Sequence, residues 1–320
     1  MEDKVQLFSP GSLGTCWYGK YHYMEPWVGC AHACPYCYAR TRGAVTNSLQ
    51  EKATTFGKPA LLMERSELLR EIERETGSGR LEILKLCRYT DIFTPEFVAD
   101  GLALEILRIL ASSRVRRIIL TTKGLPDEAL IQLMIAHREK FSYNLAARPS
   151  CVVEDSVLAG FDAGLTPLEP RLEAGSRLAA AGVLTTVHMD PFVAGLDDAD
   201  QALLPFLDRL KDHCLHRVMF SYLLFSNRIM PTMEAALPAE ALKDLMASYD
   251  FSGAHKVLPG QEDTASYSLR NDVIRDSVEK TVTILQERGF DFVLCSLKSV
   301  RGLSTRKFNR SMLCDGKFYA

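Results

Sequence analysis

The chain has 320 residues, 47% apolar and 24% charged, with 38 basic against 40 acidic side chains and a formal net charge of −2. This composition excludes a disordered chain and a fibrous repeat, and the charge balance excludes a broadly basic nucleic-acid coat while leaving room for a local basic patch. No apolar run reaches the roughly 18 residues needed to span a bilayer, and Met1 to Lys20 holds Glu2 and Asp3 with no apolar stretch, so neither a membrane anchor nor a signal peptide is expected. Residues 1–20 read as an N-terminal extension, followed by a strand over Tyr21–Val28 and a cysteine-rich loop over 29–40. Ser66–Arg74 is the next helix and Arg80–Cys87 the next strand. Pro95–Ala111 has a proline near its start and apolar residues at helical spacing, and reads as one long helix. Val115–Thr122 is a strand, and Pro126–His137 a helix whose Pro-Asp-Glu start suits a first turn. Phe141–Ala147 is a strand, and Glu169–Ala181 a helix closed by Gly182. The strand Leu184–Met189, the helix Asp200–His213, the strand Arg217–Leu224 and the helix Pro238–Ser248 continue the alternation. The polar stretch Gly253–Ala265, with Pro259-Gly260, is the expected mobile loop; Asn271–Arg288 is a helix and Phe290–Leu297 a last strand.

Such βα alternation implies parallel strands with right-handed helical crossovers. An open or partial (β/α) barrel and a doubly wound sheet both fit it, and both put chemistry at the C-terminal ends of the strands. Residues there become candidates: Cys87 to Asp91, Thr122 and Lys123, Asn144, and His188 to Pro191. No linker or low-complexity stretch interrupts the pattern. The expected organisation is the extension 1–20, a core over 21–250, and a C-terminal helix, strand and basic tail over 251–320.

Nine cysteines are an odd count, and a chain this long does not need disulfide staples, so reduced thiols in the cytoplasm are expected. Six are scattered singly; Cys30, Cys34 and Cys37 fall within eight residues as Cys-x3-Cys-x2-Cys. Soft thiolates at such spacing select zinc, copper(I) or iron–sulfur. A structural zinc wants four ligands, usually in two separated pairs, and no second Cys-x-x-Cys exists; His32 lies inside the loop as an awkward fourth. Three thiolates instead hold three irons of a [4Fe–4S] cluster and leave the fourth open. A structural zinc or an inert thiol loop is the alternative.

The run Gly29-Cys30-Ala31-His32-Ala33-Cys34-Pro35-Tyr36-Cys37-Tyr38-Ala39-Arg40 resembles the signature of the radical S-adenosylmethionine (SAM) enzymes, in which an aromatic such as Tyr36 precedes the last cysteine. Thr90-Asp91, Thr122-Lys123, Phe141-Ser142-Tyr143-Asn144, and Arg171-Leu172-Glu173-Ala174 followed by Ala181-Gly182-Val183 fall in the order seen in spore photoproduct lyase and its DNA repair photolyase-like relatives. The narrower resemblance spans Tyr23 to Asp197. It implies an α/β fold, a partial (β/α)6-type radical SAM barrel with outer helices. It also implies a [4Fe–4S] cluster and SAM as cofactors, with one electron cleaving SAM to a 5′-deoxyadenosyl radical that abstracts hydrogen from a substrate.

The resemblance makes Cys30, Cys34 and Cys37 the cluster ligands and places the SAM amino and carboxylate groups near Thr90, Asp91, Lys123 and Ser142 or Asn144. Asp91 can accept from an ammonium and Lys123 can neutralise a carboxylate; a helix-capping Asp91 and a solvated Lys123 are the plain alternatives. Tyr36 and Tyr38 are candidates to flank the adenine, or else pack. Asp190 is a candidate acceptor from ribose hydroxyls, and His188 is more readily read as a core histidine. Cys87 resembles the cysteine that returns a hydrogen atom in spore photoproduct lyase, with Tyr89 as a relay neighbour. Cys87 stands four residues before Asp91 where the family spacing is three, and Arg88 fills the equivalent slot. A buried structural cysteine is the alternative.

The tail Lys298–Ala320 carries Lys298, Arg301, Arg306, Lys307, Arg310 and Lys317 with Phe308, Phe318 and Tyr319, and reads as a phosphate- and base-gripping segment or a solvated cap. By resemblance the substrate is nucleic acid and the electron donor a flavodoxin or ferredoxin. A peptide, nucleoside or small-metabolite substrate, or a non-enzymatic iron–sulfur or zinc module, are the competing readings.

Overall fold

The computed structural model describes residues 4–11, 21–256, 265–295, 308–315 and 318. Its strands are β1 (Phe8–Pro10), β2 (His22–Met24), β3 (Trp27–Val28), β4 (Ala60–Leu61), β5 (Ile83–Leu86), β6 (Arg117–Thr122), β7 (Phe141–Ala146), β8 (Leu184–Phe192), β9 (Arg217–Tyr222), β10 (Tyr249–Lys256), β11 (Ala265–Leu269) and β12 (Asp291–Leu294). Its helices are α1 (Gly43–Glu51), α2 (Arg65–Gly77), α3 (Pro95–Ala99), α4 (Leu102–Ser112), α5 (Glu128–Ala136), α6 (Leu168–Ala180), α7 (Asp200–Asp212), α8 (Met230–Ala236), α9 (Ala239–Ala247) and α10 (Asn271–Glu287).

One eight-stranded sheet runs in the order β1-β2-β5-β6-β7-β8-β9-β12. Every neighbour from β2 to β12 pairs in parallel, and only β1 adds antiparallel, at the edge. This is the expected α/β architecture, a mostly parallel sheet flanked by helices, with no pairing between β1 and β12 among the described residues. The chain crosses from strand to strand through helices, as parallel pairing demands.

The pleat sorts side chains by parity. Leu86, Leu120, Leu145, Val187 and Phe220 turn to the large core shared with the helices, and each is 0% exposed. On the other face Ile119 and Met219 join a small cluster with Tyr21, Tyr23 and Cys295. The register sets Thr121 beside Asn144 and Asn144 beside Thr186, then Ala146 beside His188 and His188 beside Met219.

Several boundaries differ from the sequence reading. Tyr21–Val28 is two strands: β2 joins the main sheet, whereas β3 turns away to pair antiparallel with β4. Pro95–Ala111 is broken into α3 and α4, because Gly101 takes φ +81°, a left-handed conformation that ends one helix and starts the next. β1 lies in the stretch read as an extension, and α8 precedes the predicted Pro238–Ser248 helix. Gly253–Lys256 belongs to β10, which pairs with β11; residues 257–264 of the predicted mobile loop lie outside the described residues. Most of the basic tail also lies outside them, Lys298, Arg301, Arg306, Lys307 and Lys317 included.

Candidate active site

The cysteine loop leaves β3 at Gly29. Gly29 sits at φ +87°, and a Cβ there would stand 2.9 Å from the Phe56 carbonyl, so the chain needs glycine to turn so close to its neighbour. The Cys30 amide then donates to that same carbonyl at 2.7 Å. The loop carbonyls are taken up by side chains. Arg40 donates to the Cys34 carbonyl at 3.1 Å and to that of Ala33, Thr90 Oγ1 donates to the Gly29 carbonyl, and Thr232 Oγ1 of α8 donates to the Pro35 carbonyl at 2.6 Å. The backbone is thereby pinned while the sulfurs stay uncommitted: Cys30, Cys34 and Cys37 are all free thiols.

All three line one cavity of about 350 Å³ at the C-terminal ends of the parallel strands. Burial first, then Asp91 and the two neighbouring thiols, push the Cys30 thiol well above its usual value. Burial and Cys34 push Cys37 up to about 11. Thiols this dry and crowded become thiolates only against a bound cation. Three thiols of one loop are the donor set that three irons of a cube would take, one thiolate on each iron. The donor set therefore fits a [4Fe–4S] cluster.

Asp91 ties the tips of β5 and β6 together. Its Oδ1 accepts from the Phe93 amide at 2.9 Å and from Thr122 Oγ1 at 2.7 Å, and its Oδ2 from the Lys123 amide at 2.8 Å. His32 Nε2 lies 3.2 Å from Oδ2, off the line of a straight hydrogen bond. Burial works to raise the Asp91 carboxyl, but the His32 ring and these hydrogen bonds outweigh it and hold it below the usual carboxylate value. Both oxygens are thus occupied within the protein, and His32 faces this carboxylate. Lys123 reaches across the cavity: its Nζ donates to the Asp190 carbonyl at 3.3 Å and lies 5.5 Å from the centre of the Tyr36 ring. The Tyr36 ring also packs against Phe161, 4.8 Å between centroids and tilted by 50°, and Arg148 lies 4.8 Å from the centre of the Phe161 ring. Asp190 lines the cavity with its Oδ2 3.9 Å from His188 Nε2.

Cys87 ends β5 with φ +68°, a conformation a side chain rarely adopts. Burial, then Glu25, Asp91 and Cys30, push its thiol well up, so it stays protonated at neutral pH. Glu25, 1% exposed, accepts from the Arg88 and Tyr89 amides and shapes this turn. The Arg88 guanidinium lies between two rings, 4.7 Å from Tyr23 and 4.1 Å from Tyr89. Tyr38 is half-exposed and its hydroxyl donates to the Arg88 carbonyl at 2.7 Å.

The structure thus brings Cys30, Cys34, Cys37, Tyr36, Tyr38, Cys87, Tyr89, Thr90, Asp91, Lys123 and Asp190 to one cavity. Ser142 and Asn144 are not among its lining: both are fully buried in β7, with Asn144 Nδ2 donating to the Leu120 carbonyl at 2.9 Å. Sequence reasoning passed over Glu25, Lys85 and Arg148. The available signal was charge inside apolar strands, as in Met24-Glu25 and Leu84-Lys85-Leu86.

The same arrangement of strands and helices occurs in spore photoproduct lyase. A cysteine-to-alanine variant of that enzyme with dinucleoside spore photoproduct overlays at a TM-score of 0.58, with 14% identity, over 84% of this chain and 74% of that one. The chain shares the fold of spore photoproduct lyase. The likeness is one of fold. Looser overlays are with Streptococcus suis SuiB bound to S-adenosylmethionine (TM-score 0.49, 10% identity, 86% of this chain and 50% of that one) and methylornithine synthase (0.42, 15%, 91% and 75%). This chain spans half the length of SuiB. No family model and no curated protein matches the sequence. Among the described residues no helix is long and apolar enough to cross a membrane.

Proposed function

We propose that this protein is a radical SAM enzyme in which Cys30, Cys34 and Cys37 hold a [4Fe–4S] cluster and SAM occupies the adjoining cavity. The observation that carries the reading is that three free thiols of one pinned loop line a cavity at the strand C-termini of a radical SAM fold. Such a cluster, when loaded and reduced, supplies the electron that cleaves SAM to a 5′-deoxyadenosyl radical. The protein's own residues bind, orient and exclude water. Lys123 neutralises the SAM carboxylate. Asp91, its oxygens already spent, acts as a positioning residue that fixes the Lys123 backbone amide and the Thr122 hydroxyl. Thr90 anchors the loop, Tyr36 and Tyr38 flank the adenine, and Asp190 accepts from the ribose. Ser142 and Asn144 lie beneath this site and support it. Cys87 gives a hydrogen atom, with Tyr89 beside it in the cavity lining; S–H donation needs no thiolate.

The fold shared with spore photoproduct lyase supports a nucleic-acid substrate and lyase-type chemistry, fed by a flavodoxin- or ferredoxin-like donor in the cytoplasm. Anaerobic reconstitution tests the core. The expected protein is brown, binds about four irons per chain, and releases 5′-deoxyadenosine and methionine from SAM under reduction. A colourless protein with one zinc ion sinks the reading. Cys87→Ala should leave SAM cleavage intact and alter the products formed; unchanged products assign Cys87 a structural role.

A further inference from the structure

Two cysteines outside the loop lie side by side at the far edge of the main sheet. β12 is the last strand in the sheet order, and the chain returns to cover its other side: Leu313 pairs in parallel with Leu294, and the Cys314 amide donates to the Leu294 carbonyl at 2.8 Å. Cys295 and Cys314 are the next residues on these two segments, and their side chains leave on the same face. Leu294 and Leu313 turn to the large core, whereas Cys295 and Cys314 both join the small cluster with Tyr21, Tyr23, Met219 and Phe318. Neighbouring segments of a sheet run about 4.8 Å apart, inside the roughly 4.4–6.8 Å between Cα atoms that a disulfide spans. Both cysteines are free thiols, 6% and 4% exposed. Cys295 also lines the active-site cavity, which gives a small reagent a way in. Cys87 and Cys151 pack with the large core instead, and Cys214 is exposed.

We propose that Cys295 and Cys314 form a dithiol site that closes to a disulfide by exchange with a small disulfide such as oxidised glutathione. The Cys295 thiolate attacks one sulfur of the reagent, forms a mixed disulfide and expels one glutathione thiolate. The Cys314 thiolate then attacks the Cys295 sulfur and expels the second. The two protein thiols lose two electrons, the reagent gains them, and the two protein protons pass to the two glutathione thiolates. Burial slows the first attack, whereas the second is intramolecular and meets its partner at high effective concentration. Closed, the bond ties a wall of the cavity to the segment that covers β12; open, backbone pairing and packing hold that segment there. A pair of this kind suits a reducing compartment, where protein disulfides form transiently. The site needs neither the cluster nor SAM.

Peptide mapping tests the pair. The full chain, loaded with its cluster, is treated without oxygen with oxidised glutathione at about pH 8, where thiols begin to ionise, then alkylated and digested with trypsin. The two cysteines fall on separate tryptic peptides, residues 289–298 and 311–317. The expected product is these peptides joined, two hydrogens lighter than their sum, with equal loss of both free thiols and full reversal by dithiothreitol. The exposed Cys214 carries glutathione and shows that the reagent reacted. In Cys314→Ser the Cys295 peptide should keep glutathione at about tenfold or more its wild-type level, because the resolving thiol is gone. Should that variant not fold, the wild-type map decides alone. Cys214 modified with no 289–298/311–317 link, Cys295 joined to Cys87 instead, or equal glutathione on Cys295 in wild type and Cys314→Ser overturns the site. A wild-type protein that fails to cleave SAM sinks the proposed function and leaves this map to be read in the same way.

Discussion

On its outer face the main sheet presents Leu120, Leu145, Val187 and Phe220 to the helices, whereas the inner face carries Thr121, Asn144, Thr186 and Ser221 on the same strands. Both sets are buried, Thr121 only in part, but only the outer one is chemically at ease. Among the described residues the hydroxyls of Thr121, Thr186 and Ser221 and the Asn144 carbonyl oxygen have no hydrogen-bond partner. A sheet stabilised by its ladders and by helix packing on one face can leave side chains on the other under-satisfied. Stability and chemistry are thereby separated across one layer of backbone.

Breaking each face in turn should give effects of different kind as well as size. The largest is expected from Cys34→Ala at the rim of the inner face: cluster iron and the reduced-cluster EPR signal should vanish while the far-UV circular dichroism stays the same. Retained SAM cleavage in that variant would exclude Cys34 as a ligand. Leu145→Ala on the outer face should cost about 2–5 kcal/mol in denaturant unfolding, as a large-to-small change in a packed core does. Its iron uptake per folded chain should match the wild type; a matching loss of both would mean the two faces are not independent.

Asp91→Asn lies between these extremes. The Asp91 carboxyl is held below its usual value, so its contribution to stability is present above the unfolded carboxylate range, near pH 4, and is lost as pH falls through the lowered native value. The variant should therefore unfold more easily at pH 7, by about 1–3 kcal/mol, and show a flatter decline between pH 5 and pH 3. An equally steep acid decline would remove Asp91 from that role. Lys123→Met should raise the SAM concentration needed for half-maximal cleavage by about tenfold or more and leave the melting temperature nearly unchanged. Ser142→Ala should be smallest, within about 0.5 kcal/mol, because its hydroxyl has no partner to lose; a large cost would reveal a hidden one.

Much of this was legible in the chain, and the failures have identifiable causes. The βα period located every parallel strand from β5 to β12, because strands buried on both faces are dense in apolar residues. The Cys-x3-Cys-x2-Cys spacing singled out the loop whose sulfurs line the cavity. The α3–α4 break went unseen because one glycine inside a helical period is often tolerated, and only its left-handed φ shows that this one is not. Ser142 and Asn144 were credited with reaching the cavity because they lie on the expected strand. Their depth along it depends on how far β7 is shifted against β6 and β8, and no local signal carries that register.

What the sequence determined by itself is the alternation of strand and helix and the chemistry of one short loop, because periodicity and ligand spacing are local properties. The tertiary structure alone decided that Asp91 is spent on Thr122 and the Lys123 amide, that Lys123 reaches toward Tyr36 and Asp190, and that Ser221 and Ser266 share a cavity with thiols nearly two hundred residues or more away. Those facts depend on long-range register and crossover geometry, which no stretch of a few residues encodes.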